Sequence, residues 1–315
     1  MNDRVLVYNP ASGNRRAGRR AVRLATDRGF AVRESAGRGE TRTLAREAAT
    51  GGAELVVACG GDGTLNEVVR GVYEADALAR TRLGVVPGGT GNDFADNIGI
   101  TSVGAAFDAL DGPARRLDLG TVEERGGEDG PVRPFCNSCV GGLTANASAR
   151  ATPDRKRRLG VLAYVLTTFA ESRSFEGLEL DVRAGPREDP LWSGRALMVL
   201  VGNARRFPGE RRRPANVEDG LLNVVIIERA PALDYLAQGA ADRLLRRGAS
   251  HLTRVRVPQL SVRHAGGPVT FSLDGELVSH EHVVARCLPG AMRFHVGANY
   301  RPHPPEDPSD DPKRP

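Results

Sequence analysis

Short apolar runs alternate with helically spaced stretches over the first 120 residues. Val5–Tyr8 is apolar and stops at Asn9-Pro10. A helical stretch follows over Arg15–Arg28, and Phe30–Glu34 reads as a second strand. Thr41–Thr50 carries Leu44, Ala45, Ala48 and Ala49 at helical spacing. Leu55–Cys59 is a continuous apolar run bounded by glycines, and Leu65, Val68, Val69 and Val72 then mark one helix face. Leu83–Val86 is a further strand, stopped by Pro87-Gly88-Gly89. This alternation predicts an α/β domain with a mostly parallel sheet and helices on both faces.

The texture changes after Arg115–Val122. Glu123–Pro131 is charged and Gly-rich and reads as the domain boundary. Beyond it most segments are strand-like: Phe135–Val140, Leu178–Arg183, Ala196–Val201, Leu221–Ile227, Thr253–Val257, Leu260–Arg263, Val269–Leu273 and Val283–Cys287. Helical stretches interrupt near Gly160–Ser172 and Ala232–Arg247. The pattern predicts a β-rich antiparallel sandwich or barrel. The expected organisation is an α/β domain over residues 1–125, a β-rich domain over 131–287, and a Pro- and Asp-rich disordered tail over 302–315.

Composition narrows the setting. The chain has 315 residues, 40% of them hydrophobic, enough for one large or two ordinary domains. Its formal net charge is +5, carried almost wholly by arginine; Lys156 and Lys313 are the two lysines. Arginine suits phosphate, but acids are interspersed throughout and no long basic run exists, so nucleic acid is not an expected partner. No stretch approaches the roughly 20 apolar residues of a membrane span, and the N-terminus runs straight into a strand pattern. The expected location is the cytoplasm, with peripheral membrane association. Cys136 and Cys139 form a lone C-x-x-C and read as small buried residues rather than a zinc site. His280 and His282 read as alternating on one strand, with no third ligand.

Two glycine loops carry the chemistry. Cys59-Gly60-Gly61-Asp62-Gly63-Thr64 ends a strand and opens a helix, whose N-terminus offers free amides and partial positive charge to a phosphate. Asp62 would stand among phosphates, where an acid serves to hold Mg²⁺. A strand–helix turn with a capping acid is the plainer alternative, and a Walker G-x-x-x-x-G-K-[ST] is absent. Pro87-Gly88-Gly89-Thr90-Gly91-Asn92-Asp93-Phe94 repeats the strand–loop–helix arrangement. Ligands of parallel sheets bind beyond the carboxyl ends of the strands, so both loops belong to one crevice.

The pair GGDGT and PGGTGND resembles the diacylglycerol kinase catalytic family, which includes soluble bacterial lipid kinases and sphingosine kinases. Further matching segments are Asn9-Pro10-Ala11-Ser12-Gly13, Asp118-Leu119-Gly120, Gly202-Asn203, Val217-Glu218-Asp219-Gly220-Leu221-Leu222 and Leu273-Asp274-Gly275-Glu276. The resemblance covers about residues 4–300. It implies a phosphofructokinase/NAD-kinase-like first domain, a nucleotide in the interdomain cleft, and a C-terminal segment (288–300, including Met292–Val296) that returns to the first domain.

The resemblance also implies roles. Asn9, Pro10, Ala11, Ser12 and Gly13 would line ATP phosphates with Gly60, Gly61, Asp62, Gly63, Thr64, Leu65, Asn66 and Glu67. Gly89, Thr90, Asn92 and Asp93 would complete the nucleotide site, and Ser35 occupies a position where relatives often carry an ATP-contacting Thr. Glu276 falls at the catalytic base and works with Asp62; a carboxylate can accept the proton of an attacking hydroxyl. Asp219, with carbonyls near Asn216 and Leu221, would hold a Mg²⁺ ion, and Asp118 would either join an acidic network with Asp62 and Asp93 or serve as a structural acid at a strand end. Asp274 reads as a hairpin-turn acid beside Gly275. Two positions depart from the pattern: Thr144 and Asn223 stand where relatives carry acids.

The activity so implied is ATP- and Mg²⁺-dependent phosphorylation of a lipid hydroxyl, such as that of diacylglycerol, in phospholipid metabolism. Asp154-Arg155-Lys156-Arg157-Arg158, ahead of an apolar helix, and Arg211–Arg213 suit an anionic membrane surface, or a solvated helix start. Other acceptors stay open: a sphingoid base, an isoprenoid or ether lipid alcohol, or NAD. So do a non-catalytic nucleotide- or lipid-binding role and a homodimer.

Overall fold

The computed structural model describes residues 3–13, 15–37, 39–89, 91–125, 130–142, 177–205, 214–229 and 251–304. Four strands form a parallel sheet in the order β2-β1-β3-β4: β1 (Arg4–Tyr8), β2 (Ala31–Glu34), β3 (Leu55–Gly60) and β4 (Arg82–Pro87). All of β3 is buried, as expected of a strand covered on both faces. The covering helices are α1 (Arg15–Asp27), α2 (Glu40–Thr50), α3 (Asp62–Glu74) and α5 (Val103–Leu110); the short α4 (Asp93–Asn97) follows the second glycine loop. Helix α3 turns Leu65, Val68, Val69 and Val72 into the core, each contributing roughly 1.5–3 kcal/mol of burial. That anchors its N-terminus, and Asp62 with it, beyond the end of β3.

The remaining strands pair with one another antiparallel: β5 (Ala114–Glu124), β6 (Arg133–Phe135), β7 (Ser138–Gly142), β8 (Leu178–Ala184), β9 (Asp189–Gly202), β10 (Leu222–Glu228), β11 (Leu252–Val257), β12 (Gln259–His264), β13 (Val269–Leu273), β14 (Glu276–His280) and β15 (His282–His295). The architecture is an α/β half with parallel strands and a β-sandwich half, joined through hydrogen-bonded strands into one mixed sheet. Among the described residues no helix is long and apolar enough to cross a membrane.

Two strands stitch the halves together. β15 pairs β12 and β5 antiparallel, then reaches β4 in parallel register at Arg293↔Arg82 and Phe294↔Leu83. It sends Val283, Ala285 and Cys287 into one apolar core and Met292 and Phe294 into the other. Its register shifts between Leu288 and Met292, around Pro289-Gly290, where proline and a positive-φ glycine suit a bulge. The runs Val283–Cys287 and Met292–Val296 are therefore one bent strand. β5 divides likewise, with Leu117 and Leu119 in the first core and Val122 in the second.

Two further expectations change, and the buried reading of the C-x-x-C pair stands. The run Phe135–Val140 is not one strand: it breaks at Cys136-Asn137 between β6 and β7. His280 and His282 lie on different strands, and each has its own partner: His280 Nδ1 is 2.5 Å from Glu124 Oε1, and His282 Nε2 is 2.8 Å from Ser261 Oγ. Cys136 and Cys139 are buried in different cores, and burial raises both thiol pKa values. The stretches Gly160–Ser172 and Ala232–Arg247, Asp154–Arg158, Arg211–Arg213, Thr90, Thr144 and residues 305–315 lie outside the described residues.

Candidate active site

Three loops meet at the carboxyl ends of β1, β3 and β4. Ser12 Oγ accepts the Gly61 amide at 3.0 Å, Asn9 Nδ2 donates to Thr64 Oγ1 at 3.5 Å, and Gly88 N donates to the Gly60 carbonyl at 2.8 Å. The Asp62 amide donates to the Gly91 carbonyl at 3.1 Å. The loops touch backbone to backbone. A Cβ on Gly89 would lie 2.3 Å from Gly61 Cα, and one on Gly13, whose φ is +59°, would lie 2.4 Å from the Gly88 carbonyl oxygen. Only glycine permits that approach. Asn92 fastens its own loop, with Oδ1 accepting from Gly89 N at 3.2 Å and Nδ2 donating to Gly89 O at 3.0 Å.

Asp62 joins this cradle to the second half. Its Oδ2 accepts from Asp93 N and its Oδ1 from Phe94 N, both at 3.0 Å, so it caps α4. Oδ1 also accepts from Asn137 Nδ2 at 3.2 Å. Asn137 lies at the β6–β7 break, where Asp274 explains the break. The Asp274 carboxylate accepts the amides of Cys136 (2.6 Å), Asn137 (3.1 Å) and Ser138 (2.7 Å). Three successive amides aimed at one anion form an anion-binding nest. Burial pushes the Asp274 carboxyl up to about 6; the three amides oppose this and the nearby Asp62 charge adds to it. Asp274 is thus more than a turn acid, although it also holds the β13–β14 turn at φ 47°.

Glu276 opens β14 and lies between two arginines. One carboxylate oxygen is 3.3 Å from Arg133 Nη1 of β6, and the other is paired with Arg70 of α3. Arg70 is buried, and its Nε has no partner among the described residues. Since α3 begins at Asp62, this ion pair runs from the helix of the first glycine loop to the second half.

Several candidate residues lie elsewhere. Ser35 is 2% exposed; it contacts the Tyr8 carbonyl at 3.4 Å and accepts from Thr41 Oγ1 at 3.1 Å, so it packs inside the first core instead of facing a nucleotide. Leu65 is core and Thr64 is buried, whereas Asp93 is exposed, with Arg205 Nη1 3.7 Å from its carboxylate. Glu67 is half-buried on α3. Asp118 does not meet Asp62 or Asp93. It is buried at the Asp219 turn, and its oxygens accept the amides of Gly220 and Gly290, each at 2.7 Å. Burial raises its pKa. Sequence reasoning missed Asn137, Arg70 and Arg133, which have no local signal; for Asp274 the Asp-Gly pair signalled the turn but not the nest.

The donor chemistry separates the two expected metal positions. Beside the glycine loops, Asp62, Asp274 and the buried Asn137 Oδ1, which has no partner among the described residues, are hard oxygens suited to a Mg²⁺ ion. At the second position Asp219 is already paired with the Arg256 guanidinium, and a divalent ion does not fit there.

Family descriptions match both halves of the chain. The description "Diacylglycerol kinase catalytic domain" matches residues 3–122, and "YegS C-terminal NAD kinase beta sandwich-like domain" matches residues 137–296. A "Probable lipid kinase YegS-like" protein of Xanthomonas oryzae pv. oryzae is 33% identical over 304 residues, covering 92% of this chain and 95% of that protein. One of the same name from Pseudomonas aeruginosa is 34% identical over 313 residues, covering 94% and 95%. The crystal structure of a diacylglycerol kinase from Bacillus anthracis str. Sterne shares the fold, with a TM-score of 0.67 at 16% identity over 95% of this chain and 98% of that one. The chain belongs to the YegS-like lipid kinases, the family that couples a diacylglycerol kinase catalytic domain to a NAD-kinase-like β-sandwich.

Proposed function

We propose that this protein transfers the γ-phosphoryl group of ATP to the hydroxyl of a lipid such as diacylglycerol. The observation that carries this reading is the Asp62–Asn137 hydrogen bond. It joins the glycine cradle to the nest that holds Asp274, two residues from Glu276.

In this reading the loops at Asn9–Gly13, Gly60–Thr64 and Gly88–Asp93 hold the donor phosphates with backbone amides and the α3 N-terminus. Mg²⁺, when bound, would neutralise phosphate charge beside Asp62 and Asp274. Glu276 accepts the proton of the acceptor hydroxyl as its oxygen bonds to the γ-phosphorus and the bond to the ADP oxygen breaks. Arg70 and Arg133 hold the Glu276 carboxylate in place from two sides. Catalysis then rests on positioning and charge stabilisation.

Two residues support a lipid acceptor. Val132 and Leu277 are the exposed large apolar side chains among the described residues, 40% and 52% exposed, and they adjoin Arg133 and Glu276 in sequence. Exposed apolar side chains at these two positions suit a substrate presented from a membrane surface.

The test is a radiolabelled-ATP assay with Mg²⁺ over diacylglycerol, sphingoid bases, polyprenyl and ether lipid alcohols, and NAD. Label in a lipid, lost in Glu276→Gln, is expected. Label in NAD alone would overturn the lipid reading, and nucleotide binding without any labelled product would favour a non-catalytic role.

A further inference from the structure

The turn before β10 is built around anions, and every acidic side chain in it already has a cationic or amide partner. Asp219 Oδ1 accepts the Leu221 amide at 2.9 Å, and its Oδ2 is paired with Arg256 of β11. The two side chains are only 14% and 17% exposed. Glu218 holds Arg115 through two contacts, 2.6 Å to Nε and 2.8 Å to Nη2, and accepts from Tyr300 Oη at 2.9 Å. Both oxygens of Asp118 are taken by amides. Asn216 Oδ1 accepts the Glu218 amide at 3.0 Å.

Arg256 lies directly opposite Asn223 in the β10–β11 ladder. A carboxylate at 223 would give Arg256 a second anion across the strand pair; the neutral Asn223 amide brings no such charge to the guanidinium that pairs with Asp219. Mg²⁺ demands near-octahedral oxygen ligation and retains waters. Here it would have to displace a guanidinium from a mostly buried carboxylate, or sit beside it against like charge.

We propose that the Arg256 guanidinium is a built-in replacement for a divalent cation at the Asp219 turn. It supplies positive charge and directed donors to Asp219, and so holds the turn against β11 without metal. A planar, permanently charged fork can do this where an exchangeable ion otherwise would. Because the pair is largely desolvated, losing either partner leaves an uncompensated charge. Under this inference, the divalent-ion requirement of the chain is confined to the nucleotide side.

The test omits nucleotide and lipid, so its result does not depend on whether the protein is a lipid kinase. On going from excess EDTA to millimolar Mg²⁺ at matched ionic strength, the thermal unfolding midpoint of the purified full chain should shift by the same amount in wild type and in Asp219→Asn. A midpoint that EDTA lowers in wild type but not in Asp219→Asn would overturn the proposal. The double variant Arg256→Gln/Asn223→Asp removes the guanidinium and restores an acid, so its midpoint should fall in EDTA and recover with Mg²⁺. A folded double variant indifferent to Mg²⁺ would count against Arg256 as the replacement. If that variant does not fold, Mn²⁺ counted by electron paramagnetic resonance still decides: wild type and Asp219→Asn should bind equal numbers, and one fewer in Asp219→Asn would refute the idea.

Discussion

The glycine cradle and the Asp274–Glu276 hairpin solve recognition in opposite ways. The cradle works with backbone: three loops at adjacent strand ends, packed so closely that Gly89 and Gly61 leave no room for a Cβ. The hairpin works with side chains, and each has partners far away in sequence. Asp274 is held by the amides of residues 136–138, and Glu276 by Arg70 and Arg133. In the proposed reading, phosphates are alike in every nucleotide, so a rigid set of amides would serve them, whereas a proton acceptor needs one oxygen in one place, which ion pairs from two directions would provide.

The sharpest way to break this contrast is at Glu276. Glu276→Gln should lower kcat by roughly 10²–10⁴-fold while leaving ATP affinity near wild type, measured by initial rates alongside calorimetric titration of nucleotide. An equal loss of ATP affinity would erase the division between donor cradle and base. The reverse experiment is Gly89→Ala. A methyl group 2.3 Å from Gly61 Cα forces two loops apart, so ATP affinity should fall at least ~10-fold, about 1.4 kcal/mol; unchanged nucleotide binding would mean the close contact is dispensable.

A smaller effect probes the join between the regions. Burial and Asp62 hold the Asp274 carboxyl up at about 6, above its ordinary value of 3.8. Between those values the folded protein binds more protons than the unfolded chain, so this group's contribution to stability falls as pH rises from about 4 to 6 and is flat above. Asp274→Asn has no such titration. The difference in unfolding free energy should therefore shift towards the variant by roughly 2 kcal/mol across that window, followed by denaturant melts at successive pH values. A pH-independent difference would mean that Asp274 is not strained by burial or by Asp62.

The smallest change is a control away from both regions. Ser102 Oγ accepts the Ala105 amide at 3.1 Å and caps α5. Ser102→Ala should cost about 1 kcal/mol of stability with kcat unchanged; a fall in kcat would show that the cradle depends on distant helix packing.

These differences follow how far each feature reaches along the chain. The parallel strands, α2 and α3 were legible because burial on a strand or one helix face leaves a local period. The glycine loops were legible for the same reason: strand, turn and helix start are contiguous. Ser35 misled, because its place in the sequence says nothing of a hydroxyl turned towards the Tyr8 carbonyl. The break at Cys136-Asn137 was illegible, since its cause lies at Asp274, about 138 residues away in chain order. The fate of Asp219 depended likewise on Arg256, brought opposite by β-pairing.

By itself, the sequence determined the α/β half, the β-rich half and the loops that would meet a nucleotide, because hydrophobic periodicity and turn glycines act over a few residues. Only the tertiary structure decided which charges meet. It bent β15 between two cores, set Asp274 in its nest, clamped Glu276 between two arginines and gave Asp219 to Arg256. Electrostatic pairing acts through space, and the strand order that brings those partners together is a property of the whole chain.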